Sequence, residues 1–326
     1  MRVASLAALA RHPGVASDIP PDLLQNKVPK IAADDLRPVS WPSDPELEWA
    51  PPGHGDLYTA LVTSGMLETL LDHGLRYAFV SNSDNLGAVL EPRILSWVAR
   101  EGVPFAMEVA ERTEADRKGG HIARRGGRLV LRETAQTPDE DLAALQDVGR
   151  HRYVNTNNLW IDLEALRATL AQNDGVLELP IIVNRKTVDP TDPDSPAVIQ
   201  LETAMGAAIG VFEGARALHV PRRRFAPVKT TNDLLALRSD AYVLRDDCRV
   251  EPAPQRDEPP VIDLDSRYYK LIADFDARFP AGPPSLVACD HLTVKGDVKF
   301  GRGVVVRGAV TVRGPARIED GAVLAD

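Results

Sequence analysis

The chain has 326 residues, 44% hydrophobic and 26% charged, an ordinary globular composition with room for one large domain and a smaller one. A formal net charge of -9 repels phosphate backbones and anionic headgroups, which argues against nucleic acid and membrane surfaces as partners. Two cysteines, Cys248 and Cys289, are too few and too far apart for a disulfide framework or a zinc site, and a reducing cytoplasm fits best.

Met1 to Ala10 holds a short Ala/Leu run that Arg11 and His12 end before it reaches the core of a signal peptide, so a surface helix is expected there. No stretch approaches the roughly 18 to 20 apolar residues that span a bilayer, and the protein is expected to be soluble. From Asp56 to Gly74, Leu57, Leu61, Leu67, Leu70 and Leu71 fall broadly at helical spacing, with Asp56 as cap and Gly74 as stop. A β-prone strand, Tyr77 to Val80, then runs into the polar loop Ser81 to Asn85. Further strands are predicted at Phe105 to Val109, Arg128 to Arg132 and Leu159 to Leu163, with a buried one at Ile181 to Val183. Leu163 to Leu170 and Ala204 to Ala215 have helical composition, and Thr230-Thr231-Asn232-Asp233 opens a third helix. The alternation predicts a layered α/β domain whose ligands lie beyond the carboxyl ends of the strands.

Thr191 to Pro196 reads as a surface loop and Glu251 to Pro260 as an interdomain linker. Beyond it, Leu292, Val298, Val304 and Val310 recur every six residues, with Val294, Phe300, Val306 and Val312 two positions later and glycines between. Such a hexapeptide repeat predicts stacked parallel strands, a β-helix with about three hexapeptides per coil and room for about two coils. An antiparallel meander is the weaker alternative. The open stacking edge of a short β-helix favours pairing with another subunit, hence an oligomer.

Several clusters have the chemistry of a site. Pro51-Pro52-Gly53-His54-Gly55-Asp56 lets backbone and imidazole approach a ligand, although a turn with a solvent histidine explains it equally well. Asn82-Ser83-Asp84-Asn85 supplies a carboxylate at a strand end, adequate for Mg²⁺ with substrate phosphates, against the alternative of an Asx turn. Lys118-Gly119-Gly120 reads as surface. Asn155-Thr156-Asn157-Asn158 suits sugar hydroxyls, with a turn as the equal alternative. Lys229, ahead of a helix start, combines cation, dipole and free backbone N–H groups for a phosphate, whereas Arg222 to Arg224 read as a solvated basic face. Gly206 suggests close helix packing, and no Ser-His-Asp spacing, zinc pattern or GxGxxG fingerprint is legible.

Taken in order, QNKVPK from Gln25, PPGHGD, SNSDNLGA, FAMEV, KGG, NTNNLW, IIVN, QLETAMGAAI, VPRRRF and PVKTTNDLL resemble the UTP-glucose-1-phosphate uridylyltransferase family over nearly the whole chain. The resemblance implies a nucleotidyltransferase-type, Rossmann-like mixed sheet over residues 1–250, a linker and connecting helix over 251–284, and a left-handed parallel β-helix over 285–326. It also implies Mg²⁺-dependent conversion of UTP and glucose 1-phosphate to UDP-glucose and pyrophosphate. By the same resemblance Gln25 and Gly53 meet the uracil and His54 the sugar phosphate, and Asn82 and Asn157 serve the sugar. Asp84 serves nucleotide, sugar and metal, and Lys229 the phosphates. The family's glycine-rich Leu-x-Gly-Gly-x-Gly-Thr loop and its following lysine have no counterpart before Leu24. Activity is therefore expected to need a segment absent from this chain. The alternatives are a non-catalytic sugar-nucleotide-binding or assembly fragment and a UDP-N-acetylhexosamine pyrophosphorylase.

Overall fold

The computed structural model describes residues 2–12, 14, 18–113, 116–117, 119–247, 249–256 and 258–325. The chain forms two compact units, one of residues 1–81 with 90–220 and one of residues 82–89 with 221–326. Architecture is mixed α/β, as expected. Among the described residues no helix is long and apolar enough to cross a membrane.

In the first unit a six-stranded mixed sheet is built on the ten-residue strand Tyr153–Asp162. Phe105–Glu111 and Tyr77–Val80 run antiparallel to it on either side, and Arg216–His219 adds parallel to the outer edge of Phe105–Glu111. The hairpin His121–Arg125 with Arg128–Arg132 joins at Val154. Phe105, Met107 and Val109 face the main core with Leu159, Ile161 and the helix Leu163–Ala171, while Ala106 faces Trp160 and Val98 on the other side. This period-2 alternation puts two apolar faces on one strand, which is why Phe105 to Ala110 are all buried.

Four sequence expectations need correction here. Asp56 to Gly74 forms two helices, Leu57–Thr63 and Met66–Asp72, because Gly65 at φ +73° breaks the run; Gly74 does end it. The strand expected at Leu159 begins six residues earlier and takes in the whole Asn155 to Asn158 cluster. Ile181 to Val183 is not buried: Ile181 is 58% and Val183 50% exposed, on the outer strand of a three-stranded antiparallel sheet with Ala197–Thr203 and Ile31–Ala32. Between Ala204 and Ala215 only a 3₁₀ segment forms, Met205–Gly210.

The hairpin carries a titratable pair that no sequence pattern announced. His121 is fully buried and stacks on His151 with ring centroids 3.9 Å apart. Burial, then the neighbouring His151, pushes the pKa of His121 down to about 4. In the unfolded chain a histidine takes up its proton near pH 6.5, so between these values the unfolded state binds more protons. Stability present above pH 6.5 is thus lost as pH falls towards 4, by roughly 3 to 4 kcal/mol at most at about 1.4 kcal/mol per pKa unit. All four tryptophans, Trp41, Trp49, Trp97 and Trp160, lie in this unit, so their fluorescence reports its unfolding. We predict that the urea midpoint falls less steeply between pH 7 and 4.5 in His121→Phe than in the parent; parallel curves would refute the assignment.

In the second unit Val261–Leu264, Ser285–Lys295, Val305–Arg313 and Val323–Leu324 form a parallel sheet in that order, and Val298–Phe300 pairs parallel with Ala316–Ile318. Leu292 lies opposite Val310, Val294 opposite Val312, Phe300 opposite Ile318 and Val305 opposite Val323, each pair 18 residues apart. That offset is three hexapeptides. Leu292, Val294, Val298, Phe300, Val304 and Val306 all point inward, so the six-residue phase sorts core from surface. Gly296, at φ +88°, stacks on Gly314 one offset later, where a β-carbon would sit 3.2 Å from the Gly314 carbonyl. The antiparallel meander is excluded by these parallel registers. The expected boundary at residue 250 falls inside this unit, since Val250–Pro252 pairs with Tyr242–Leu244 and Val261–Leu264 supplies a sheet strand. Cys289 is buried in this core; Cys248 lies outside the described residues.

Candidate functional site

The first unit brings Gln25, Gly53 and His54 together. Gln25 Nε2 donates to the Gly53 carbonyl at 2.7 Å. Its neighbour Asn26 donates to the Asp56 carboxylate from its backbone N–H at 2.8 Å and from Nδ2 at 3.0 Å. Two consecutive residues thus bracket the Gly53–Asp56 turn. Asp56, expected to cap the following helix, is buried and occupied by Asn26 instead.

Gly53 has φ +80° and ψ 170°, and a β-carbon there would lie 2.5 Å from the carbonyl oxygen and 2.8 Å from the nitrogen of Thr203. Both contacts are backbone, which cannot swing aside. We predict that Gly53→Ala lowers stability by about 2 kcal/mol or more through strain alone and displaces Gln25. Urea unfolding followed by tryptophan fluorescence tests this, and a change below about 0.5 kcal/mol, the range of an ordinary surface substitution, would sink it.

His54 is exposed, and its Nδ1 accepts the Met205 N–H at 3.0 Å. That bond requires Nδ1 unprotonated and leaves the ring proton on Nε2 as a donor. The Met205 carbonyl in turn accepts from Tyr58 Oη at 2.7 Å, deep in the core, where burial pushes the phenol well above its ordinary range. The next residue, Gly206, does not pack helix on helix as expected. Its missing β-carbon makes room for Asn155 Nδ2, 2.8 Å from where that carbon would sit.

Asn155 Nδ2 donates to Asn157 Oδ1 at 2.8 Å, and Asn155 Oδ1 accepts the Asn157 N–H at 2.9 Å. Asn157 sits at φ +57° on a bulge, where the pairing shifts from Met107 opposite Leu159 to Val109 opposite Asn155. Of the four cluster residues it alone is only half-buried; Asn155, Thr156 and Asn158 are buried. The bulge is held from below by Glu108. Its carbonyl accepts Thr156 Oγ1 at 2.8 Å, and its two carboxylate oxygens accept Asn158 Nδ2 at 3.0 Å and Trp160 Nε1 at 2.9 Å. A chain of contacts through Thr203–Gly206 therefore connects Gln25, Gly53, His54 and Asn157.

The second unit brings Asp84 and Lys229 together. Lys229 Nζ donates to Asp84 Oδ2 at 2.6 Å, while Asp84 Oδ1 is buried with no hydrogen-bond partner. Asn82 is half-buried, and its carbonyl accepts the Asn85 N–H at 3.1 Å. Buried Asn85 sews the loop to the segment bearing Lys229. Its Nδ2 donates to the Arg224 carbonyl at 3.1 Å and its Oδ1 accepts the Ala226 N–H at 2.9 Å, while Val228 N–H donates to the Asp84 carbonyl at 2.9 Å.

Two expectations for this segment are overturned. The backbone N–H groups of Lys229 and Thr230 are not available to a phosphate, because Asp233 Oδ2 accepts them at 2.9 and 2.8 Å in a capping box. Arg224 is buried and donates to the Val89 carbonyl at 3.0 Å, so only Arg222 and Arg223 form an exposed basic face. Lys118 lies outside the described residues.

Glu108 has no assigned role in the sequence, and Asn85 and Asp233 enter it only as members of the polar loop and of the helix start. A glutamate inside the apolar run Phe105 to Val109 was the legible signal for the first; the other two look like any loop Asn or helix Asp.

The family model of UTP-glucose-1-phosphate uridylyltransferase matches residues 7–307. The chain belongs to that family. It is 42% identical over 306 residues to the UTP-glucose-1-phosphate uridylyltransferase of Hordeum vulgare, covering 92% of this chain and 63% of that one. To the probable UTP-glucose-1-phosphate uridylyltransferase of Schizosaccharomyces pombe it is 40% identical over 291 residues, covering 88% and 56%. A mutant UDP-glucose pyrophosphorylase of Leishmania major, solved in complex with UDP-glucose, superposes with a TM-score of 0.90 at 49% identity, covering 99% of this chain and 72% of that one. The chain spans about three-fifths of the length of the curated relatives it matches. The uridylyltransferase match takes in every candidate residue from Gln25 to Lys229.

Proposed function

We propose that this chain binds UTP and glucose 1-phosphate, with UDP-glucose as product, and serves uridylyl transfer between them. The observation that supports this most directly, within the family, is the Asp84 carboxylate, with one oxygen on Lys229 and the other buried and unpartnered. A buried carboxylate oxygen without a donor is costly unless a ligand completes it. Asp84 would hold Mg²⁺ together with substrate phosphate oxygens and water, a set in which one protein carboxylate suffices. Bound there, Mg²⁺ would supply charge neutralisation on the triphosphate.

Gln25, its amide oriented by the Gly53 carbonyl, keeps Oε1 towards the base as an acceptor for the uracil N3–H, while Gly53 lets the base approach the backbone. His54 offers Nε2–H to the sugar phosphate, Asn157 its carboxamide to sugar hydroxyls, and Asn82 a second amide. Lys229 neutralises charge on the phosphates. An oxygen of glucose 1-phosphate attacks the α-phosphorus of UTP in line; the new O–P bond forms as the bond to the β-phosphate breaks, and pyrophosphate leaves with the electron pair. The nucleophile is already anionic, so no general base is needed.

The parallel region belongs to the same reading. The 18-residue offset of its registers supports a left-handed β-helix, with self-association through its edge, and the scarcity of cysteine, two in 326 residues, fits a cytoplasmic setting. Sedimentation at micromolar concentration reads the self-association.

The deciding assay is pyrophosphate release from UTP and glucose 1-phosphate with Mg²⁺, alongside UDP-glucose binding. Turnover supports catalysis by this chain. Binding without turnover favours the non-catalytic fragment, and the absence of both binding and turnover overturns the proposal.

A further inference from the structure

Three arginines in the first unit share one cleft. Arg124 and Arg128 flank the Gly126-Gly127 turn of the hairpin, and Arg216 opens the strand Arg216–His219. With Phe212 and Leu129 they line a cavity of about 440 Å³ in which, among the described residues, the only acidic lining residue is Glu213. None of the residues assigned to the substrates lines it.

Among the described residues none of the three guanidinium groups forms an ion pair, and Arg124 Nη1 is steadied by the Gly127 carbonyl at 3.2 Å. A chain with net charge -9 has carboxylates in excess, yet this cleft gathers three positive charges against one negative. Like charges facing one cavity repel, and a bound anion would relieve that repulsion. Guanidinium groups present planar pairs of N–H donors matched to phosphate and carboxylate oxygens. Phe212 is buried and stacks on Phe105 at 5.4 Å, giving the cleft a rigid apolar floor. The volume falls within the roughly 300 to 1,000 Å³ typical of small-molecule sites.

We propose that this cleft binds a small polyanion, carrying at least two phosphate or carboxylate charges, at a site separate from the residues proposed to hold the substrates. Calorimetric titration of the whole chain with tripolyphosphate and, separately, with citrate tests it in 150 mM salt; which of the two binds identifies the charge group recognised. The expected result is one site, weakened about tenfold or more by Arg128→Ser or Arg216→Ser. Glu213→Gln should tighten binding, and Lys229→Ala should leave it unchanged. These arginines are exposed, so their variants are expected to fold as the parent does, which far-ultraviolet circular dichroism checks. Arg125→Ser is the control, because Arg125 is exposed on the same hairpin but does not line the cleft. The proposal is overturned if neither anion binds, if Arg125→Ser weakens binding as much as the cleft variants, or if Lys229→Ala alone abolishes it.

Discussion

Lys229→Ala is expected to lower pyrophosphate release by about 10²- to 10³-fold, the range seen when one preorganised group that stabilises transition-state charge is removed. This rests on the uridylyl-transfer reading. Lys229 reaches Asp84 at 2.6 Å and its side chain is 58% exposed, so the pair sits where solvent and ligand can both reach it. An exposed ion pair contributes about 0 to 1 kcal/mol to folding, and losing it should leave the fold intact. A large loss of rate with an unchanged urea midpoint therefore isolates electrostatics from stability. Asp84→Asn keeps the shape of the side chain but removes its charge, and it should cost rate as well as Mg²⁺ dependence. If Lys229 acts on the phosphates directly, Asp84→Asn and Lys229→Ala are separable, because only the first changes the Mg²⁺ concentration for half-maximal rate. Rates within threefold of the parent in both variants would remove this pair from the site.

Much of this arrangement is legible in the sequence, and the reasons are local. Tyr77 to Val80 is a compact β-prone run bounded by polar residues, and the strand forms at those residues. The hexapeptide phase is readable because two of every six positions face the core, and the buried set from Leu292 to Val306 follows it. Hidden from the sequence were features fixed by contacts between distant segments. Asn155 to Asn158 looks like a turn by composition; it is strand because Glu108, about fifty residues earlier, satisfies its side chains. Asp233 looks like an ordinary first-turn acid, yet it takes the N–H groups once reserved for phosphate. Arg224 sits in a run of three identical residues, and only the fold of Asn82–Val89 decides which of them is buried. Local pattern fixes the type of an element; partners at long separation decide what its polar groups do.

The second large effect follows from Glu108. It is fully buried on the Ala106 and Trp160 face of its strand, and its oxygens accept from Asn158 Nδ2 and Trp160 Nε1. Glu108→Ala takes the shared acceptor away from both groups in the core, and each donor left unsatisfied costs about 1 to 3 kcal/mol. A loss of roughly 2 to 5 kcal/mol is expected, a large share of a typical domain's 5 to 15 kcal/mol. Because the tryptophans all lie in the first unit, fluorescence-detected urea unfolding measures this loss there. The mechanism makes a sharper demand through the double variant. If the cost comes from an orphaned indole N–H, then Glu108→Ala combined with Trp160→Phe, which removes that donor, should cost less than the two single losses added together. Simple additivity, or a loss under about 1 kcal/mol for Glu108→Ala, would mean that water or a shifted neighbour takes the carboxylate's place. The bulge beside Asn157 leans on the same carboxylate, so binding of a sugar nucleotide should weaken along with the fold, and more than in a core variant of equal stability loss remote from the bulge, such as Leu166→Ala. Equal weakening in both would mean that Glu108 supports the domain but does not position Asn157.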